Sequence, residues 1–188
     1  NGYMATQGFF NDQCYLQYTK KADFTDVPNL SNLVFQITPK LSYLAYRDFR
    51  KAKEAQKPNL ELGSTPLRDE GKLLDLKARE NAESVINLQA FQDKTNDYLT
   101  YGTVIQLKHY DSDTYFGITK LCAPVDKSCT KVEFTTKRSR RIYWKIMPKY
   151  KFYKEGDRIA YEDEILLLNV KSGLCVHISS PVVRHSVD

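Results

Sequence analysis

The chain has 188 residues, 41% of them hydrophobic, and 13 Tyr within an aromatic content of 12%; this supports one compact domain with an appendage and excludes low-complexity disorder and collagen-like structure. No apolar run exceeds the four residues 165–168, against the roughly 20 that a membrane-spanning helix needs, so the segment itself reads as soluble. The net charge of +5 is unevenly placed, with eight Lys or Arg and no acid between Lys137 and Lys154, a run that attracts anions.

The opening Asn1-Gly2-Tyr3-Met4 carries neither an initiator Met nor a charged and apolar leader, and reads as a piece of something longer. A strand through Val34-Phe35-Gln36-Ile37 stops at Pro39. From Leu41 the apolar residues Leu44, Ala45, Phe49, Ala52 and Ala55 recur at three- and four-residue steps, which predicts a helix with Ser42 as N-cap. Lys57-Pro58 and Gly63-Ser64 interrupt the pattern. Thr65-Pro66 then offers a cap and a Pro at the first helical position, followed by Asp69 and Glu70 in the first turn. The second helix is expected to reach about Gln92 and to turn Leu67, Leu74, Ala78, Val85 and Leu88 toward the first, an antiparallel arm inserted at 41–97.

The strands beyond the arm carry a repeat. Val34-Phe35-Gln36-Ile37-Thr38-Pro39-Lys40 and Tyr143-Trp144-Lys145-Ile146-Met147-Pro148-Lys149 share the order apolar, aromatic, polar, Ile, any, Pro, Lys. Val104 to Leu107 with Ser112 and Tyr115 to Ile118 similarly matches Ile165 to Leu168 with Ser172 and Leu174 to Ile178. Three units of about 40 to 50 residues closing on a pseudo-threefold axis make a β-trefoil. They are 1–40, 101–149 and a third from Asp157, the first lacking its opening strand and the third its last two. The expected fold is therefore mostly β: a single β-trefoil domain over 1–188, incomplete at both ends, with the arm within it.

In the basic run, Ile142 to Ile146 is expected as a strand with charges alternating outward, and 149–154 as a solvated or partner-facing loop. There Phe152 is expected to point inward and Tyr150 outward, where an exposed Tyr makes a frequent interface anchor. Interleaved aromatics allow a nucleic-acid reading, though the basic groups are spread along a strand and two loops. The four Cys are too sparse for a disulfide scaffold and poorly spaced for zinc, so reduced, partly buried thiols are expected. His109, His177 and His185 show no metal-ligand spacing and read as strand-packing residues. No catalytic constellation, Gly-rich phosphate loop or metal cluster is found along the sequence; no enzyme, cofactor, metal or ligand-binding residue is expected in this fragment.

Asn1-Gly2-Tyr3-Met4-Ala5-Thr6 with Asp12 to Cys14, Leu33-Val34-Phe35-Gln36-Ile37 before a basic helix, Tyr101-Gly102-Thr103-Val104-Ile105-Gln106-Leu107, and Gly156-Asp157 with 162–168 stand in an order and spacing that resembles the N-terminal domain of the inositol 1,4,5-trisphosphate receptors, and more distantly that of ryanodine receptors. The resemblance covers nearly the whole chain. It implies a trefoil of the type shared by mannosyltransferases and these receptors (MIR), in the suppressor domain of a tetrameric calcium-release channel on the cytosolic face of the endoplasmic reticulum. The resemblance further implies that the domain does not hold the ligand but lowers the affinity of the binding core that follows, and passes ligand-induced movement onward. The implied partners are that core and neighbouring subunits of a homotetramer; the amphipathic arm also invites calmodulin, against packing on the trefoil or on a neighbouring subunit. Tyr150 matches the family's coupling tyrosine, with Lys149 and Lys151 beside it, although Lys149 replaces an aromatic and Trp144 stands one place later than the family's Trp. The alternatives are an MIR-type trefoil of the secretory pathway, which calls for paired cysteines and no large arm, and a phosphoinositide- or RNA-binding trefoil.

Overall fold

The computed structural model describes residues 2–7, 11–18, 30–56, 70–95 and 97–179. The chain is mostly β with two helices. In order come β1 (Gly2–Ala5), β2 (Tyr15–Tyr18), β3 (Phe35–Pro39), α1 (Leu44–Gln56), α2 (Glu70–Lys94), β4 (Val104–His109), β5 (Tyr115–Cys122), β6 (Thr130–Thr135), β7 (Trp144–Pro148) and β8 (Ile165–Asn169). It divides into a β unit, Asn1–Thr38 with Leu99–Asp188, and a helical unit, Pro39–Tyr98.

In the β unit, β1 and β2 form an antiparallel pair, and a six-stranded sheet runs β6-β5-β4-β7-β8, with β3 also pairing to β4. Tyr101, Ile105, Leu107, Phe116, Phe134, Trp144 and Ile146 are the buried core. Its rings stack in series: Phe35 lies 5.5 Å from Phe134, Phe134 5.6 Å from Phe116, and Phe116 4.8 Å from Trp144. Trp144 also donates its indole N–H to Phe116 O at 2.9 Å. The strand expected through Ile142 to Ile146 is shorter, because Arg140–Ile142 forms a 3-10 turn and β7 begins at Trp144. Ile142, Tyr143 and Trp144 are buried in succession, which no alternating strand allows. Gly117 makes room for that turn: a Cβ there would meet Ile142 Cγ2 at 3.0 Å and Arg141 O at 3.2 Å.

The internal repeat is built from matching hydrogen bonds. β4 ends at His109, whose N–H bonds Thr114 O at 2.8 Å; β8 ends at Asn169, whose N–H bonds Leu174 O at 2.9 Å. The next amides, Tyr110 and Val170, each donate at 3.0 Å to the carbonyl just before a Pro-ended strand, Val34 and Tyr143. Both turns place a left-handed residue at their fifth position, Asp113 (φ 58°) and Gly173 (φ 71°). Both buried side chains also reach a 3-10 turn: His109 Nε2 contacts Ser31 O at 2.7 Å, and Asn169 Nδ2 donates to Arg141 O at 2.9 Å. A carbonyl can only accept, so Nε2 carries the imidazole proton and Nδ1 accepts from Ser112. The two copies are offset by 60 residues throughout, from Gly102 and Glu162, both of positive φ, to Ser112 and Ser172. The strand alignment read from sequence, Val104 with Ile165, is therefore one residue out of register. The expected strand through Leu174 to Ile178 is reduced to one bridge, Cys175 to Leu168. All four cysteines are free, and Cys122 and Cys175 are exposed rather than partly buried.

In the helical unit, α1 begins later than expected, at Leu44, and α2 is described from Glu70, its expected start at Thr65-Pro66 lying outside the described residues. Ser42 is not the cap. The carboxylate of Glu83, from α2, accepts the first amides of α1: Leu44 at 2.8 Å, Ala45 at 3.1 Å and Tyr46 at 3.0 Å, and the Ser42 hydroxyl at 2.9 Å. Asn87 brackets Ser42, accepting from its N–H and donating to its carbonyl. Ala45, Phe49 and Ala52 are half-buried as expected, whereas Leu74, Val85 and Leu88 of the expected α2 stripe are 58% to 73% exposed. The covered positions of α2 are instead Leu73, Leu76, Glu80, Glu83, Asn87, Ala90 and Phe91. Leu67 lies outside the described residues.

Burial opposes ionisation of Glu83, but the Tyr46, Ala45 and Leu44 amides and the Ser42 hydroxyl outweigh it and hold its carboxyl below the ordinary 4.5. A depressed value supplies stability above the ordinary glutamate range that is lost as pH falls through the folded value. Neither helix has a buried residue, so amides in α1 and α2 are expected to be less protected from exchange, relative to their intrinsic rates, than those in β4 and β7, and least protected under acid conditions. Glu83→Gln should weaken the helical unit by about 1 to 2 kcal/mol at neutral pH and flatten this acid dependence; exchange unaltered by the substitution would contradict the cap. In the sheet, Asn169→Ala strands two carbonyls and the Lys171 and Ser172 amides that Oδ1 accepts. It should cost about 2 to 3 kcal/mol by denaturant unfolding, against under about 0.5 kcal/mol for the exposed Ser172→Ala.

Candidate interdomain contact surface

Pro148 ends β7, and the chain turns outward through 149–154 before β8. The turn is closed by Tyr153 N–H to Tyr150 O at 3.4 Å. Glu164, just before β8, holds its first half: the Lys149 ammonium and the Tyr150 hydroxyl both donate to Oε2, the latter at 2.9 Å. This pairing lowers the Glu164 carboxyl and raises Lys149, each chiefly through the other. The Lys149 ammonium also lies 5.3 Å from the centre of the Tyr150 ring. Lys151 is exposed.

The outer rings stack: Tyr150 and Phe152 lie 5.8 Å apart and 9° from parallel, and Phe152 sits 4.2 Å from Tyr153, itself 5.1 Å from Tyr101. Phe152 is not the inward residue expected from sequence; it is 69% exposed and Tyr150 45%. The inward ring is Tyr153, because its hydroxyl finds a half-buried acceptor. Tyr153 and Tyr101 donate at 3.1 Å to the two oxygens of Asp163, and Ala160 N–H adds a third bond at 2.8 Å. That amide, followed by the tyrosine hydroxyls, holds the Asp163 carboxyl low. Burial first, and Asp163 next, pushes the Tyr101 hydroxyl up to about 12. The two exposed rings are thus tied to the core through Tyr153 and the core residue Tyr101.

Three cations of the basic run are engaged locally. Lys145 pairs with Glu155 at 2.5 Å, Lys149 with Glu164, and the Arg138 guanidinium lies 5.9 Å from the Tyr115 ring.

Elsewhere in the β unit a cavity of about 570 Å³ is lined by Cys14, Ile118, Cys129, Trp144, Cys175 and His177, among others. Burial pushes the Cys14 thiol up to about 11, so it stays protonated. Cys129 Sγ lies 3.3 Å from Asp126 Oδ2 and 3.6 Å from His177 Nε2. Sequence spacing points to no such cluster, because His177 is 48 residues from Cys129 and enters from the stretch after β8. The only local signal is the Asp126-Lys127-Ser128-Cys129 turn.

The family model described as inositol 1,4,5-trisphosphate/ryanodine receptor matches residues 1–187. A curated relative, the inositol 1,4,5-trisphosphate receptor itr-1 of Caenorhabditis elegans, is 22% identical over 182 residues; the match covers 95% of this chain and 6% of that receptor. Among the described residues no helix is long and apolar enough to cross a membrane. With the family model matched over residues 1–187, the chain belongs to the inositol 1,4,5-trisphosphate/ryanodine receptor family.

Proposed function

We propose that this chain is a non-catalytic regulatory module near the N-terminus of an intracellular ligand-gated calcium-release channel, held at the cytosolic face of the endoplasmic reticulum membrane by the rest of the receptor. It favours the unliganded arrangement, so it lowers ligand affinity, and by linkage the ligand disfavours that arrangement equally. Its partners are the adjoining ligand-binding core and neighbouring subunits. The architecture proposed for the β unit is an incomplete trefoil, supported by the 60-residue repeat of turn, left-handed residue and buried clamp.

The observation that carries the coupling role is the pair of stacked, exposed rings Tyr150 and Phe152, rooted in the core through Tyr153 and Tyr101. An aromatic surface held from within offers large contact area at small entropic cost. The secretory-pathway reading calls for paired cysteines and no arm, whereas the cysteines are free and two helices are present.

In the full-length receptor, Tyr150→Ala is expected to uncouple this module from the ligand-binding core, changing ligand affinity about 5- to 150-fold, the usual range of a coupling free energy. The melting temperature of the 188-residue chain should barely move, because the lost contacts lie at the surface. Unchanged ligand affinity and channel opening in the full receptor would remove Tyr150 from the coupling role.

A further inference from the structure

Two donors on the cavity wall, Cys129 and His177, stand with a third beside it, Asp126, and the two separations made by the thiol match a coordination shell. Around a tetrahedral zinc, a thiolate at about 2.3 Å and nitrogen or oxygen ligands at about 2.0 to 2.2 Å place neighbouring donors roughly 3.5 Å apart. Here the thiol lies 3.3 Å from the carboxylate oxygen and 3.6 Å from the imidazole nitrogen. All three ligand atoms fall within 4.8 Å of one another. We propose that Asp126, Cys129 and His177 bind one borderline-soft divalent transition metal, zinc by preference, with a fourth position open to the cavity.

The surroundings orient these donors for that task. Asp126 Oδ1 is occupied by the Ser128 amide at 2.9 Å and the Ser128 hydroxyl at 2.7 Å, which turns Oδ2 toward the thiol. Partners of this kind fix a ligating carboxylate in place. The backbone keeps the turn closed, with Cys129 N–H to Asp126 O at 3.1 Å and Ala123 N–H to Cys129 O at 2.8 Å. Ser179 Oγ contacts His177 Nε2 at 3.1 Å, and the metal replaces that contact. On binding, the Cys129 S–H bond breaks, its proton leaves to solvent and the sulfur electron pair goes to the metal. Asp126 and His177 are exposed, so the ion has a path in. One thiolate and one imidazole select against calcium, which takes six to eight oxygen ligands.

Binding would fasten residues 174–179, which form no regular strand, to the turn between β5 and β6. The site does not depend on the regulatory reading above, and its test needs neither ligand nor gating.

Purified chain is titrated with Zn²⁺ in competition with a chromophoric chelator, and separately with Co²⁺ followed by absorbance. The expected result is one ion per chain, Co²⁺ bands typical of tetrahedral thiolate coordination, and no competition by millimolar-range Ca²⁺. Asp126→Asn, Cys129→Ser and His177→Gln should each weaken Zn²⁺ binding at least about tenfold, while Cys122→Ser, outside the cavity lining, leaves it unchanged. Amide exchange across 174–179 should slow on adding Zn²⁺. No saturable Zn²⁺ binding, or binding that survives both Cys129→Ser and His177→Gln in chains with unaltered far-UV circular dichroism, overturns the site. Should one of these variants unfold, Asp126→Asn, which changes charge at constant shape, decides the matter.

Discussion

The β unit depends on polar side chains buried at the ends of two strands. His109 and Asn169 are almost fully inaccessible, and each spends its side chain on main-chain groups that no strand partner reaches. Asn169 satisfies four: the carbonyls of Arg141 and Tyr143 and the amides of Lys171 and Ser172. A buried amide or carbonyl without a partner costs about 1 to 3 kcal/mol, so these residues fix where each turn closes and how each 3-10 segment meets the sheet. The aromatic series from Phe35 to Trp144 then packs between elements whose positions are already set.

From that frame the outer loop inherits its character. Tyr101 belongs to the core cluster, yet its hydroxyl shares Asp163 with Tyr153, and Tyr153 stacks beneath Phe152. A displacement of the exposed rings has a contiguous route to the centre of the sheet through three aromatic contacts and one carboxylate. Lys149 and Glu164 flank this route and keep the loop's charge local.

Strand periodicity and the Pro-ended repeat were legible in the sequence, because β3 and β7 carry the same order of aromatic, polar, Ile, any residue and Pro. The antiparallel helices were also legible as elements, but the stripe between them was not. α2 bears apolar residues on two faces, and the covered face includes Glu80, Glu83 and Asn87, which counting apolar spacing passes over. Phe152 was expected to point inward for a related reason: hydrophobicity favours burying Phe, while the acceptor Asp163 draws Tyr153 inward instead. The offset of the repeat was misread by one residue because its markers, a buried polar side chain and a left-handed backbone, are not hydrophobic signals. The Asp126, Cys129 and His177 cluster lay beyond any spacing rule, since only the fold brings its members together.

Glu83 supplies the amino-terminal cap of a helix that precedes it in the chain, by 37 residues in the case of the Tyr46 amide. During synthesis α1 therefore leaves the ribosome before the group that completes it exists. At about 5 to 20 residues per second, the first helix waits on the order of seconds with its leading amides open to water or to other acceptors, and the two helices become ordered as one event once Glu83 and Asn87 emerge. A truncation between the helices would leave α1 without its cap, so the helical unit has no stable half.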